Sequence, residues 1–261
     1  MRVNSPVLFV GAGPGDPDLI TVAGRKALLA ADLVVVAGSL VNPAIHADLK
    51  AEAKLIDSAP LALPEIVGHL IQGYRDGLAV VRLHTGDPSL YGAIHEQMAL
   101  LKEAGVPYKA IPGVTSALAA AAALAMEWTI PEVTQTLILT RAAGRTPTPA
   151  GESLEALAAH RASMAIYLSA AQGAEVGRIL AAAYGPSAPV ALCYRVSWPD
   201  EKIVWATAAT LAEALARESL DRHVLMLAGP AVEARQTGGE APKSRLYDPD
   251  FRHIRRPGGE P

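Results

Sequence analysis

The chain has 261 residues, 51% hydrophobic and 19% charged, which argues against global disorder and fits one large domain or two of common size. A formal net charge of -3 and a pI near 6.2 speak against generic electrostatic binding to nucleic acid. A single cysteine, Cys193, excludes an intrachain disulfide and reads as a buried thiol in the apolar run Val190–Cys193.

In chain order, Val7–Val10 predicts a strand, Leu19–Ala31 a helix with Thr21 near its start, and Leu33–Ala37 a strand of β-branched residues. Pro64–Tyr74 predicts a helix, Leu78–Leu83 a strand, Ile94–Ala104 a helix closed by Gly105, and Tyr108–Ile111 another strand. This alternation implies an α/β domain of mainly parallel strands with helical crossovers. Pro112-Gly113 marks the expected domain boundary, and the alanine-rich run 116–126 after it is a strong helix former. Strands then follow at Thr136–Thr140, Met164–Leu168, Val190–Tyr194, Lys202–Ala206 and Val224–Ala228, with helices at Ser153–His160, Gly173–Ala183 and Thr210–Glu218. Lys202 follows Tyr194 too closely for an intervening helix, so a hairpin and a mixed sheet are expected there. The expected organisation is a first α/β domain over 1–113, a second over 114–235, and a partly ordered tail over 236–261, rich in Gly, Pro and charge. The run 116–126 is too short to span a bilayer, and the first residues lead into a strand without a hydrophobic leader, so a cytoplasmic protein without a membrane partner is expected.

Two glycine-rich turns follow predicted strands. The first is Val10-Gly11-Ala12-Gly13-Pro14-Gly15-Asp16-Pro17-Asp18-Leu19-Ile20-Thr21, the second Gly86-Asp87-Pro88-Ser89-Leu90-Tyr91-Gly92. Glycines at 11, 13 and 15 permit close approach of a ligand to backbone N–H groups at the carboxyl end of a strand, where open α/β sheets bind nucleoside-type ligands. A dinucleotide site would need a third glycine where Asp16 stands and an acid at the end of the second strand, which instead reads Val36-Ala37-Gly38-Ser39. Asp87 suits either a helix cap or a carboxylate that accepts hydrogen bonds from a ligand. A third turn, Ile111-Pro112-Gly113-Val114-Thr115-Ser116, opens the alanine-rich helix with two hydroxyls, one of which suits a cap and the other a ligand contact.

Taken together and in order, the three turns resemble the tetrapyrrole methylase family, over roughly residues 6 to 232. The family's usual basic residue after Thr21-Val22 is replaced by Ala23, with Arg25 and Lys26 close by. Gly38-Ser39-Leu40-Val41, the stretch Gly86 to Gln97 and above all Thr134 to Pro147 are similar to the branch of the family that methylates C11 of precorrin-4 or cobalt-precorrin-4. The resemblance implies two α/β domains with a ligand trough between them and S-adenosylmethionine bound at their junction. It also implies S-adenosylhomocysteine as product, a tetrapyrrole substrate and a homodimer.

Carried over by position, the resemblance assigns cofactor contacts to Pro14, Gly86, Asp87, Pro88, Tyr91, Thr115 and Ser116, and by strand alignment to Leu168, Val196 and Val224. A sulfonium methyl is already activated, so no metal is required; the seven histidines show no paired metal spacing and no metal site is expected. The enzyme's main task is to hold carbon and methyl in line, about 3–3.5 Å apart. A base for the substrate proton is sought in Asp16, then in Tyr91 or His84, although Asp16 equally suits a turn or cap. Arg141 and Arg145, in one Gly/Thr/Pro loop, and Arg195 are the expected partners of substrate carboxylates. The rival readings are another tetrapyrrole methylase such as uroporphyrinogen-III C-methyltransferase, a nicotinamide-dependent oxidoreductase, or a non-catalytic binding protein.

Overall fold

In the computed structural model, which describes residues 5–238 together with 244, 251 and 252, the apolar runs of the first half become strands, the three central ones buried on both faces and the two edge ones partly exposed. They are β1 (Val7–Gly11), β2 (Leu33–Val36), β3 (Lys54–Asp57), β4 (Val80–His84) and β5 (Tyr108–Ile111). The strands form one sheet in the order β3-β2-β4-β1-β5, parallel throughout. Neighbouring side chains point to opposite faces. Val10, Val34, Val81 and Leu83 therefore pack with Leu28 on one side, while Phe9, Val35 and Val80 pack with Leu70 and Leu101 on the other. The crossovers are α1 (Val22–Ala30), α2 (Leu63–Arg75) and α3 (Ile94–Glu103), and α4 (Ser116–Ala123) follows β5. This unit runs to Ala123 and also takes in Arg195–Lys202.

The second unit comprises Leu124–Tyr194 and the residues from Ile203 onward. Its strands are β6 (Leu137–Arg141), β7 (Ser163–Tyr167), β8 (Pro189–Tyr194), β9 (Lys202–Thr207) and β10 (Val224–Ala228), in the order β6-β7-β10-β8-β9. The sheet is mixed, as expected: β6 and β7 are parallel, whereas β10 runs antiparallel to both β7 and β8. The link Arg195–Glu201 between β8 and β9 is too short for a crossover. Helices α5 (Leu154–Ala158), α6 (Gly173–Tyr184), α7 (Leu211–Arg217) and α8 (Pro230–Thr237) complete the unit. Met164, Ile166, Leu180, Leu192, Leu211 and Met226 are fully buried in its core, and Cys193 is 1% exposed.

Several boundaries differ from the sequence reading. The helix expected from Leu19 begins at Val22, because Asp16 caps a separate 3-10 turn, Pro17–Leu19, and Thr21 caps α1 by accepting from the Gly24 N–H at 3.1 Å. Strand β4 starts at Val80, since the Ala79 N–H donates to Asp32 Oδ2 (2.9 Å) and the Leu78 N–H to the Gly73 carbonyl. Strand β3 and helix α8 were not predicted. Helix α8 carries Gln236 and Thr237 and ends on a left-handed Gly238; most of the expected tail, 236–261, lies outside the described residues. No described helix is long and apolar enough to cross a membrane.

Candidate functional site

The strand order places β1 between β4 and β5, so the three turns singled out in the sequence meet at the carboxyl edge of the parallel sheet. Gly13 and Gly86 exchange backbone hydrogen bonds, at 3.2 Å from the Gly13 N–H and 2.8 Å from the Gly86 N–H. The Ala12 N–H donates to the His84 carbonyl at 2.7 Å. The Gly113 N–H donates to Asp87 Oδ2 at 2.9 Å, and the Thr21 hydroxyl to the Pro112 carbonyl at 3.3 Å. A side chain at Gly11 has no room: its Cβ would stand 2.6 Å from the Gly113 backbone and from the Gly86 carbonyl oxygen.

Asp87 holds the second turn. Its Oδ1 accepts from the Ser89 N–H (2.8 Å) and from the Ser89 hydroxyl, while Oδ2 reaches across to Gly113. Burial alone would raise its pKa. The hydrogen bonds from the Ser89 hydroxyl and from the Gly113 and Ser89 amides outweigh burial and hold the carboxyl below its ordinary value. Downstream, Tyr91 (φ 57) and Ala93 (φ 49) are left-handed without being glycine, and Tyr91 is 43% exposed. Strain of this kind gathers at ligand sites. Thr115 stands at the cap of α4, its carbonyl accepting from the Leu118 and Ala119 N–H groups, and Ser116 is the first helical residue.

The first turn is braced by groups that sequence reading missed. Trp198 Nε1 donates to the Pro14 carbonyl (3.0 Å), Asn42 Nδ2 to the Gly15 carbonyl (2.8 Å), and the Asp16 N–H to Ser197 Oγ (2.9 Å). A Cβ on Gly15 would lie 2.1 Å from the Trp198 indole. Arg195, expected to meet substrate, has its guanidinium 4.0 Å over the Trp198 ring and pairs with Asp200 at 2.9 Å. Val196, beside it, is buried. The Asp16 carboxylate accepts from the Asp18 N–H at 2.8 Å, the cap position. His84 is a poor base near neutrality, because burial and then the Arg82 charge push its pKa down to about 3. We expect Trp198→Ala to destabilise the protein by about 3 kcal/mol, low in the range for truncated aromatics because the ring is only half-buried. Trp198→Phe, losing one hydrogen bond, should cost about 1 kcal/mol. Urea unfolding of the two variants checks the order.

In the second unit, Arg141 pairs with Tyr167 at the end of β7, and Val224 with Tyr194 at the end of β8. Continuing the β7–β10 register brings Leu168 level with Val224, so the named residues of this unit share one edge of the mixed sheet. Leu168 is 65% exposed and left-handed (φ 51), an apolar side chain in two unfavourable states at once. Its neighbour Ser169 is fully buried and ties the strand ends, accepting from the Ala142 N–H (2.8 Å) and donating to the Tyr167 carbonyl (2.6 Å). The Arg141 guanidinium donates to the carbonyls of Ala142 (3.3 Å), Thr146 (3.0 Å) and Pro147 (2.8 Å), so it shapes the loop on which Arg145 is exposed.

Residues 6–212 match the family model of Tetrapyrrole (Corrin/Porphyrin) Methylases. The chain is 47% identical over 252 residues to the precorrin-4 C(11)-methyltransferase of Pseudomonas aeruginosa, covering 97% of this chain and 99% of that protein. Among solved structures, a cobalamin biosynthetic enzyme, cobalt precorrin-4 methyltransferase, superposes with a TM-score of 0.84 at 47% identity, over 87% of this chain and 95% of that one. The uroporphyrin-III C-methyl transferase of Thermus thermophilus, complexed with S-adenosyl homocysteine, superposes with a TM-score of 0.73 at 26% identity, over 88% and 94% of the two chains.

Proposed function

The chain belongs to the tetrapyrrole (corrin/porphyrin) methylase family, and on that premise we propose that it moves a methyl group from S-adenosylmethionine to C11 of precorrin-4 or cobalt-precorrin-4. It is a C-methyltransferase of cobalamin biosynthesis. The observation that carries the reading is the junction of three turns at the edge of the parallel sheet, closed by the Gly13–Gly86 and Asp87–Gly113 hydrogen bonds. The identity contrast, 47% against 26%, favours the precorrin-4 enzymes over the uroporphyrin-III enzyme. A nicotinamide reading finds no support in the acid-free end of β2.

The residues present fit S-adenosylmethionine. A nucleoside with an amino-acid tail needs close approach to main chain free of bulky side chains; a Cβ at Gly86 would meet nothing closer than 3.9 Å, which leaves that face of the turn open, while Gly11 and Gly113 let the three turns close on one another beside it. When bound, S-adenosylmethionine supplies an already activated methyl, so the chain's own work is placement. Gly86, Asp87, Pro88 and Tyr91 with Thr115 and Ser116 form one wall; Pro14, fixed by Trp198, belongs to the same unit. Val196 in the first unit, and Leu168 and Val224 on one sheet edge of the second, are further cofactor contacts that the family resemblance implies for each unit. Arg145, on the loop shaped by Arg141, meets the carboxylates of the substrate, and Arg195 steadies Trp198. The protein is further read as a cytoplasmic homodimer.

The test is a single-turnover reaction with methyl-labelled S-adenosylmethionine and precorrin-4, with and without cobalt. One methyl added at C11 is the expected product, and transfer to uroporphyrinogen III alone would refute it. The same assay decides the role of Asp16. As a cap, Asp16→Asn retains the side-chain oxygen that accepts from Asp18 and should keep activity within about threefold. As a general base it would lose about 100-fold or more.

A further inference from the structure

Beneath the Gly86–Gly92 turn lies a buried cation whose described hydrogen-bond partners are neutral. Arg82, in the middle of β4, is 4% exposed. Its Nε donates to Gln97 Oε1 (3.0 Å), and its Nη1 to the Val35 carbonyl (3.1 Å) and to Ser58 Oγ (3.0 Å). Gln97, on α3, is 3% exposed and passes the connection on: its Nε2 donates to the carbonyl of Ala93 at 3.1 Å.

Ala93 is where the turn hands over to α3. It occupies the cap position in a left-handed conformation (φ 49, ψ 35), without a side-chain cap, where cap residues ordinarily take extended backbone. An alanine does not hold that conformation by its own preference. The Gln97 amide fixes the Ala93 carbonyl, and the Arg82 guanidinium fixes Gln97 from inside the sheet. The two-step connection therefore sets the direction in which the chain leaves Tyr91 and Gly92. The turn is tight enough to transmit this constraint: a Cβ on Gly92 would lie 2.2 Å from the Pro88 carbonyl oxygen.

We propose that Arg82 and Gln97 are positioning residues for the methyl-transfer reaction, holding the left-handed joint at Ala93 and through it the shape of the Gly86–Gly92 cofactor turn. The inference rests on the reading of that turn as the S-adenosylmethionine site.

The experiment compares the full-length protein with Gln97→Glu and Gln97→Leu, reading S-adenosylhomocysteine affinity by calorimetry, thermal stability, and KM for S-adenosylmethionine against kcat. Gln97→Glu keeps an acceptor for Arg82 but loses the donor to Ala93; Gln97→Leu loses both. The expected result is folded variants that bind S-adenosylhomocysteine about tenfold more weakly, the order of one lost buried hydrogen bond, with the change in KM exceeding that in kcat. Adding Ala93→Gly to Gln97→Glu should recover most of the lost affinity, because glycine adopts the left-handed joint unaided. Rescue of this kind is not expected of a residue that serves stability alone. Affinity within twofold of the parent in folded variants, absence of rescue, or failure of both variants to fold would each overturn the proposal. Failure of the parent protein itself to bind S-adenosylhomocysteine would instead overturn the cofactor reading, and the proposal with it.

Discussion

Alanine at position 113 is expected to disable the site. A Cβ there would lie 2.0 Å from the Gly86 carbonyl oxygen and 2.8 Å from Gly11 Cα, and both obstacles are backbone that no rotamer change can move. Overpacking of this kind costs about 3 kcal/mol. For a chain of this size that is a fall of about 6–12 °C in unfolding temperature. The functional penalty should be of similar size, because β1, β4 and β5 would have to separate at the edge where their turns meet. Displacement near 1 Å in a placement-driven site costs about 100-fold in rate, so kcat/KM should fall by that order, with S-adenosylhomocysteine affinity falling alongside it. Gly86→Ala is the informative comparison. Gly86 is left-handed (φ 58), yet a Cβ there meets nothing closer than 3.9 Å, so only conformational strain, about 1 kcal/mol, is expected. Calorimetric titration and thermal unfolding of both variants separate crowding from strain; equal losses would contradict the packing argument.

Replacing Asp87 with asparagine is the second large effect. The carboxylate accepts donors on both oxygens, from Ser89 on one side and Gly113 on the other. An asparagine has an acceptor for one side only and turns its own N–H group toward a donor on the other. A lost hydrogen bond to a charged acceptor is worth about 1.5–3 kcal/mol. Expressed in the transition state, that is a loss of about 10- to 100-fold in kcat/KM. The pH dependence has a definite sign. The folded-state pKa of Asp87 is lowered from 3.8, so its contribution to stability is present above the ordinary carboxylate range and is lost as the pH falls through the folded value. Acid unfolding followed below about pH 4 should lose this component in Asp87→Asn, and an unchanged acid limb would show that the carboxylate is not tied as described.

The particular residues show how far sequence patterns reach. Each of the three turns was legible because its chemistry is local: a glycine beside a strand end, a carboxylate followed by proline, a hydroxyl ahead of an alanine helix. The parallel first sheet and mixed second sheet were legible because strand–helix alternation leaves few chain paths, and because Tyr194 and Lys202 stand too close for a crossover. Strand β3 was missed because it is a four-residue edge strand, half of it the charged Lys54 and Asp57 and largely exposed, with no alternation to mark it. Arg82 was hidden inside an apparently apolar run, since nothing local distinguishes a buried guanidinium from one reaching solvent.

By itself, then, the sequence determined the α/β class, most of the strands and the three glycine-rich turns at their ends, because hydrophobic periodicity and turn geometry act over a few residues. Only the tertiary structure decided that Trp198 braces Pro14 from 184 positions away, that Arg195 and Arg141 are engaged with their own loops, and that Gly11, Gly86 and Gly113 share one close contact. Those contacts follow from strand order, β4-β1-β5, which is fixed by how the whole apolar surface is buried and not by any segment's own preference.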